Sequence, residues 1–503
     1  MSDVMTDAEQ TTAAGGVRRF VFPDLIREAP RRPTTLAVLR ADSSANTFGW
    51  DTVFAIRAAD MNTALQQPGA YPASFAQTET GSWSGQGQFG PWQVTLGGGG
   101  GDLNMSVPIT SGTMTYGGAS YVLDGAVVEI QIQLIYVPQP PTNGTPNNLV
   151  PDGQTAVSVI GMTLATTLPN NIKWLAMGMM SDWFNANLGE FTHVFSTVNI
   201  NMTADKAQFQ WLKPQGTIGY AYNNADTLDD AVFGVMCMLT AGAMPGSQEI
   251  SNAAIPSGQR AGYLIALGPY FNNVLIPGLP DMFVNASASD FTYDNSAGSV
   301  TNNKALNQPD VTVGAVSYTP QVDVNNFSVT VDGDKLVIST QKVHIAFSPG
   351  IDIYLDYTSY MHVVLTTNSS GQQVMTLQQA QDPSTSHYVN VAAWVTWTEV
   401  IAGIVAGVIT AFVGKGAKAV FDVVAYRVIA TIITLLIVGV ISQIGSIMIA
   451  VAEGDQDKLP PIDPLKIDAT NPVTWPQGAH FTLGVAQLNG VFQLGGTYTE
   501  APA

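Results

Sequence analysis

One cysteine, Cys237, stands in the whole 503-residue chain. That excludes an internal disulfide and every metal site built from several thiolates. Cys237 sits in the apolar run AVFGVMCMLT, which reads as an inert core thiol. Charge is scarce too: 11% of residues carry it, and 38 acidic against 19 basic residues leave a formal charge of −19. Such a balance argues against nucleic acid, or an anionic membrane, as the main electrostatic partner. The histidines, His193, His344, His362, His387 and His480, are scattered without metal-ligand spacing. His344 and His362 fall in expected strands, where they could meet as a zinc or acid–base pair or simply decorate a sheet surface. No P-loop, G-x-S-x-G elbow or H-E-x-x-H occurs. The string GQGQFG (Gly85, Gly87, Gly90) runs into Pro91 and a strand instead of a helix, so it reads as a flexible turn. Asp226, Asp229 and Asp230 could attract calcium, with a solvated loop as the simpler account. Nothing here points to an enzyme or a cofactor. The opening MSDVMTDAEQTTAAGG lacks the basic head and apolar core of a secretory signal. The expectation is cytoplasmic synthesis, with any release by a route that needs no cleaved signal peptide.

What the chain has is grease, and its densest stretch is Val391–Ala452, where the only formal charges are Glu399, Lys415, Lys418, Asp422 and Arg427. Such a run needs a large apolar surface, whether protein or lipid. Val428–Ala452 carries no charge and, as one helix, would be long enough to cross a bilayer. A membrane-inserting hairpin therefore competes with helices buried inside a large curved sheet. Thr431, Thr434, Ser442 and Ser446 fall near one helical stripe, which lipid would not demand. Glycines at 403, 407, 414 and 416 predict a break near Gly414–Gly416, where Lys415 and Lys418 make a buried tip costly. The surrounding chain reads as β-sheet, which favours burial in protein.

In order along the chain, Met1–Asn46 reads as a flexible arm holding several arginines. A short strand around Val53–Ile56 then leads into a helix over Ala58–Gln67, stopped by Pro68-Gly69. Strand signals recur from Tyr71 to Val137. In VVEIQIQLIYV, Glu129, Gln131 and Gln133 alternate with Ile130, Ile132 and Leu134, the pattern of an antiparallel sheet with one wet face. Asn171–Phe191 predicts an amphipathic helix anchored by Trp174, Leu175, Met179, Trp183 and Leu188. Pro269–Phe283 looks helical but is cut by Pro277 and Pro280. A long β-section over Asp310–Leu377 turns at Asp332-Gly333, and a last hairpin turns at Asn489-Gly490. Long amphipathic strands with very apolar helices imply an aliphatic seam, suited to acyl chains or closed as plain core.

Several strings, in order, carry a resemblance: NTFGWDTVFAIRAADMNTAL, EFTHVFSTVNINM, AGYLIALGPYFNNVLIPGLPDMF and YTSYMHVVL. Together they resemble the clostridial forty-seven-kilodalton proteins encoded beside botulinum neurotoxin genes. The resemblance implies an α+β fold of the tubular lipid-binding (TULIP) type, with long apolar helices wrapped by a strongly curved antiparallel β-sheet. It covers residues 46–503, with room for two lobes, and leaves 1–45 as the arm. It further implies a non-enzymatic lipid binder, accessory to a toxin or effector. The partners would be a lipid or fatty acyl ligand, a membrane surface, and a toxin or sister TULIP proteins. The residues expected to line the groove are Trp50, Phe54, Trp183, Leu275, Phe283, Ile401, Val405, Val408, Ile433 and Ile437. A pore-forming component, and an interaction protein with a closed core, stand as the alternatives.

Overall fold

The computed structural model describes residues 9–13, 17–21 and 44–499, except 68, 81, 140–144, 314, 397, 399–400, 404, 407–408, 410–425, 439–440, 477 and 479. The fold is α+β, built mostly of open antiparallel sheets. Two compact units divide it: Met1–Ser44, Leu267–Leu465 and Ala486–Phe492 form the first, and Ala45–Ala266, Lys466–Val485 and Gln493–Ala503 the second.

The first unit is organised on a 10-stranded sheet. Its middle is made of three long strands, Lys335–Ser348, Ile351–Thr367 and Gln373–Ala392. On one side follow Phe327–Asp332, Ser299–Asn302 and Phe291–Asp294. On the other, Val17–Val21 pairs with Gln373–Ala392, and Glu9–Ala13 pairs with Val17–Val21, so both described stretches of the N-terminal arm are strands. Alternation decides the faces. Ile351, Ile353, Leu355, Tyr357, Ser359, Met361 and Val363 are buried, while the residues between them are half-exposed. The outer face carries aromatic ladders, with Tyr354 stacked on Tyr388 at 4.8 Å and on His344 at 5.0 Å. Register shifts near Thr340–Val343 and Thr358–Met361 mark bulges, which bend strands and increase their twist. The Asp332-Gly333 turn forms as expected, with Gly333 at φ 60°, where a side chain would be strained.

The helices of this unit are shorter than the sequence suggests. Leu267–Tyr270 is α-helical, Phe271–Leu275 is π-helical and Ile276–Met282 is 3₁₀, the last holding both prolines. Residues 426–433 are α-helical and Thr434–Val438 is a π segment. Ile441–Gln443 is 3₁₀ and Ile444–Glu453 is α, closed by Gly454 in the left-handed region. The single helix expected over Val428–Ala452 is therefore divided. Among the described residues no helix is long and apolar enough to cross a membrane. The expected break near Gly414–Gly416 lies outside the described residues.

In the second unit, except for residues 486–488 and Phe492, a six-stranded sheet runs Ile218–Asn223, Val232–Cys237, Thr52–Arg57, Ala261–Ile265, Phe492–Thr499 and His480–Leu488. Thr52–Arg57 is apolar on both faces and leads directly into helix Ala58–Leu65. That helix docks through Asn62, whose amide donates to the Val94 carbonyl at 3.1 Å and accepts the Val94 N–H at 2.7 Å. A seven-stranded sheet centres on Leu103–Tyr116, and a four-stranded one on Thr145–Pro151 and Ser196–Ile200.

Helix Asn170–Asn187 buries Ile172, Ala176, Met179, Met180, Trp183 and Phe184. Trp174 is instead exposed, because position 174 falls about 200° round the helix from 172. GQGQFG is not a turn either. All of it but Gly90 lies in strand Trp83–Phe89, where Met179 Sδ occupies the space a Cβ on Gly85 would need, and the Phe75 ring does so at Gly87. Cys237 is buried, as expected, and burial pushes its thiol pKa well up.

Candidate functional site

An apolar helical surface in the first unit is built from two irregular helices in contact. The π turn Phe271–Leu275 packs on the π turn Thr434–Val438. One turn further on, Gly278 lies so close to Thr431 that an added Cβ would run into Thr431 Cγ2. At the edge of this pair, the Arg427 guanidinium donates to the Asp281 carbonyl at 2.8 Å. Val428, Ile429, Ala430, Ile432, Ile433, Leu436 and Ile437 are all buried, with no charge among them. Phe283 extends the layer toward the sheet, 5.8 Å from Phe291 and 5.3 Å from Phe327 between ring centres.

Polar atoms interrupt this layer without partners. The hydroxyls of Thr431 and Thr434 are buried and make no hydrogen bond among the described residues. The same holds for the hydroxyls of Tyr270, Thr340 and Ser359. Thr340 pairs across the sheet with Tyr357, and Ser359 with Ile338, so both belong to the buried face. A buried hydroxyl without a partner costs on the order of 1–3 kcal/mol. Burial also pushes the Tyr270 pKa up, so that hydroxyl stays protonated and able to donate.

The predicted groove residues divide between the units. Leu275, Phe283, Ile401, Val405, Ile433 and Ile437 belong to the first; all are buried except Ile401, which is half-buried. Leu275 and Ile437 lie on the two π turns in contact, and Ile433 one residue before the second of them. Val408 lies outside the described residues. Trp50, Phe54 and Trp183 belong to the second unit. Trp50 donates to the Ser247 carbonyl at 2.7 Å, Phe54 packs 4.7 Å from Tyr263, and Trp183 sits among Phe75, Phe89 and Phe184. Of the helical polar stripe, Thr431 and Thr434 are buried while Ser442 and Ser446 are exposed. Ser359 and Thr340 escape a sequence reading that looks only for runs of grease. Ser359 nevertheless falls in the apolar register of its strand, between Tyr357 and Met361.

His344 and His362 do not form a pair, and the alternative of separate sheet-surface histidines holds. His344 contacts Asp352 at 2.8 Å and His362 contacts Asp334 at 3.3 Å. Their cross-strand neighbours, Tyr354 and Lys335, lie toward opposite ends of the hairpin. Asp229 is taken up by Arg260 at 2.6 Å and Asp230 by the Thr227 hydroxyl at 2.6 Å. Among the described residues no group of three or more His, Cys, Asp or Glu could hold a metal ion.

Comparison with known proteins places this architecture. A protein named OrfX3 from Paraclostridium bifermentans is 25% identical over 497 residues, spanning 90% of this chain and 98% of the relative. An OrfX3 from Clostridium botulinum (strain Kyoto / Type A2) is 24% identical over 496 residues with the same coverage. The solved structure of P47 from Clostridium botulinum A2 superposes with a TM-score of 0.59 at 16% identity, covering 90% of this chain and 98% of that one. P47 of Clostridium botulinum E1 gives 0.58 at 15%, covering 90% and 100%. At such identities the structural likeness speaks for the fold alone. The family profile described as OrfX-like, protein OrfX2/OrfX3/P47, matches residues 47–496. The chain belongs to this OrfX-like family, the clostridial neurotoxin-cluster proteins that its sequence strings resemble.

Proposed function

We propose that the protein is a non-enzymatic lipid binder of the tubular type, with long apolar helical segments wrapped by a strongly curved antiparallel sheet. A lipid acyl chain lies in the apolar layer of the first unit, along Leu275, Ile433 and Ile437. The bulges in the long strands and their continuous apolar face support this reading. The observation that carries it is the pair of unpartnered hydroxyls on Thr431 and Thr434, set in otherwise aliphatic surroundings. A closed core gains nothing from a hydroxyl there, whereas an ester or carboxyl oxygen of a lipid accepts its hydrogen bond. In this reading the protein serves a toxin or effector, together with sister tubular proteins.

The test is native mass spectrometry of delipidated protein titrated with fatty acids and phospholipids of graded chain length. A saturable lipid adduct is expected, strengthening with chain length as each buried methylene adds about 0.8 kcal/mol. Delipidated, folded protein that takes up no lipid at any length contradicts the proposal.

A further inference from the structure

The second unit carries a cleft that the lipid reading leaves unused. Its volume is about 700 Å³, and it lies beside the end of helix Ala58–Leu65, strands Thr145–Pro151 and Ser196–Ile200, and the turn at Thr474–Pro476. Small-ligand clefts commonly span roughly 300–1,000 Å³. None of the predicted groove residues lines it.

Its chemistry is unusual for a chain with a formal charge of −19, because no charged side chain among the described residues lines it. The walls are formed by Thr63, Gln67, Asn148, His193, Thr197 and Trp475. His193 is held near-parallel to Phe191 at 6.3 Å and perpendicular to Phe195 at 4.9 Å. Neither ring nitrogen bonds to a described residue. Burial lowers its pKa to about 4, so at neutral pH the ring offers one donor and one acceptor. The Asn148 Oδ1 accepts the Thr197 hydroxyl at 2.8 Å, while the amide nitrogen of Asn148 bonds to no described residue. An ion pair, Arg260 with Asp60 at 2.6 Å, lines an adjoining cavity of about 360 Å³ that shares Thr63. Arg260 is already answered there by a second carboxylate, Asp229.

Electrostatics selects the ligand class. A phosphate or carboxylate entering this cleft would lose hydration with no cation to replace it, and a cation would find no carboxylate. Hydroxyl, carboxamide and neutral imidazole groups each donate and accept, which matches a ligand whose own groups do both. The indole of Trp475 adds an apolar wall for C–H faces. We propose that this cleft, between helix Ala58–Leu65 and the turn at Trp475, binds a neutral saccharide through Thr63, Gln67, Asn148 and His193.

The experiment uses the full chain. Saturation-transfer NMR is run with maltotriose and N-acetyllactosamine as neutral probes and myo-inositol hexakisphosphate as the anionic comparison. At least one neutral probe should bind saturably, and the hexakisphosphate should not compete with it. His193→Phe keeps the ring packing but removes both nitrogens, and Thr63→Val changes an exposed helical position. Each should weaken the neutral probe roughly fivefold or more. Thr63→Val decides the matter should His193→Phe fail to fold. Absence of binding by both neutral probes, unchanged affinity in folded Thr63→Val protein, or preference for the hexakisphosphate overturns the proposal.

Discussion

Thr431 and His193 are the side chains whose replacement says most. Thr431→Val keeps shape and discards only the hydroxyl. Because that hydroxyl has no partner among the described residues, lipid-free protein should lose no thermal stability. Lipid affinity in the same variant should fall roughly five- to tenfold, measured by native mass spectrometry titration. His193 gives a pH test. Its folded pKa of about 4 lies below the ordinary 6.5, so between those values the unfolded chain holds a proton the folded chain lacks. Stability must then fall as pH drops from 6.5 toward 4 and be unaffected by this group above 6.5. His193→Phe should remove that component, on the order of 2 kcal/mol, in urea denaturation of the two proteins at pH 4.5 and 7.5. Thr431 and Thr434 are visible in the sequence as a polar stripe on a greasy helix. Their burial, against the exposure of Ser442 and Ser446 on the same stripe, is decided by packing that periodicity does not encode.

At the scale of elements, the contact between Gly278 and Thr431 fixes how the two irregular helices approach. Gly278→Ala should cost about 1–3 kcal/mol through overpacking. Adding Thr431→Ser, which deletes the obstructing Cγ2, should restore much of that loss; a thermal-melt cycle of the four proteins measures it. Elements with strong local signals are legible in the sequence. The Asp332-Gly333 turn, the strand before Ala58 and the proline-cut helix at 267–282 all follow from turn chemistry and periodicity. Elements that depend on a partner are less so. Gly85 and Gly87 read locally as a turn, yet they lie in a strand because Met179 and Phe75 need the room. Trp174 looks like an anchor until the helix phase set by Ile172, Ala176 and Trp183 turns it outward. The uncharged run after Arg427 gives no hint that it changes to a π segment at Thr434, since its residues favour no one helical period.

At the scale of the whole molecule, each unit has its own buried core, and a substitution in one should be felt there first. Lys213 in the second unit is fully buried, 3.2 Å from the Asp468 carboxylate and 2.6 Å from the Asp468 carbonyl. Lys213→Met strands that carboxylate, a change that ordinarily costs about 3–5 kcal/mol. Hydrogen exchange followed by mass spectrometry should show faster exchange in Thr52–Arg57 and Val232–Cys237, and little change in Ile351–Thr367. Composition and hydropathy make the general class legible, a β-rich chain with a sheltered greasy helix. The tubular lipid-binding reading rests on the interior of the first unit. A photoactivatable diazirine fatty acid, loaded into delipidated protein and mapped by peptide mass spectrometry, tests it most directly. Crosslinks on Val428–Val438 and on the Phe271–Met282 segment, lost on competition with unlabelled fatty acid, are the predicted result. Saturable lipid uptake with crosslinks confined to other segments would contradict it.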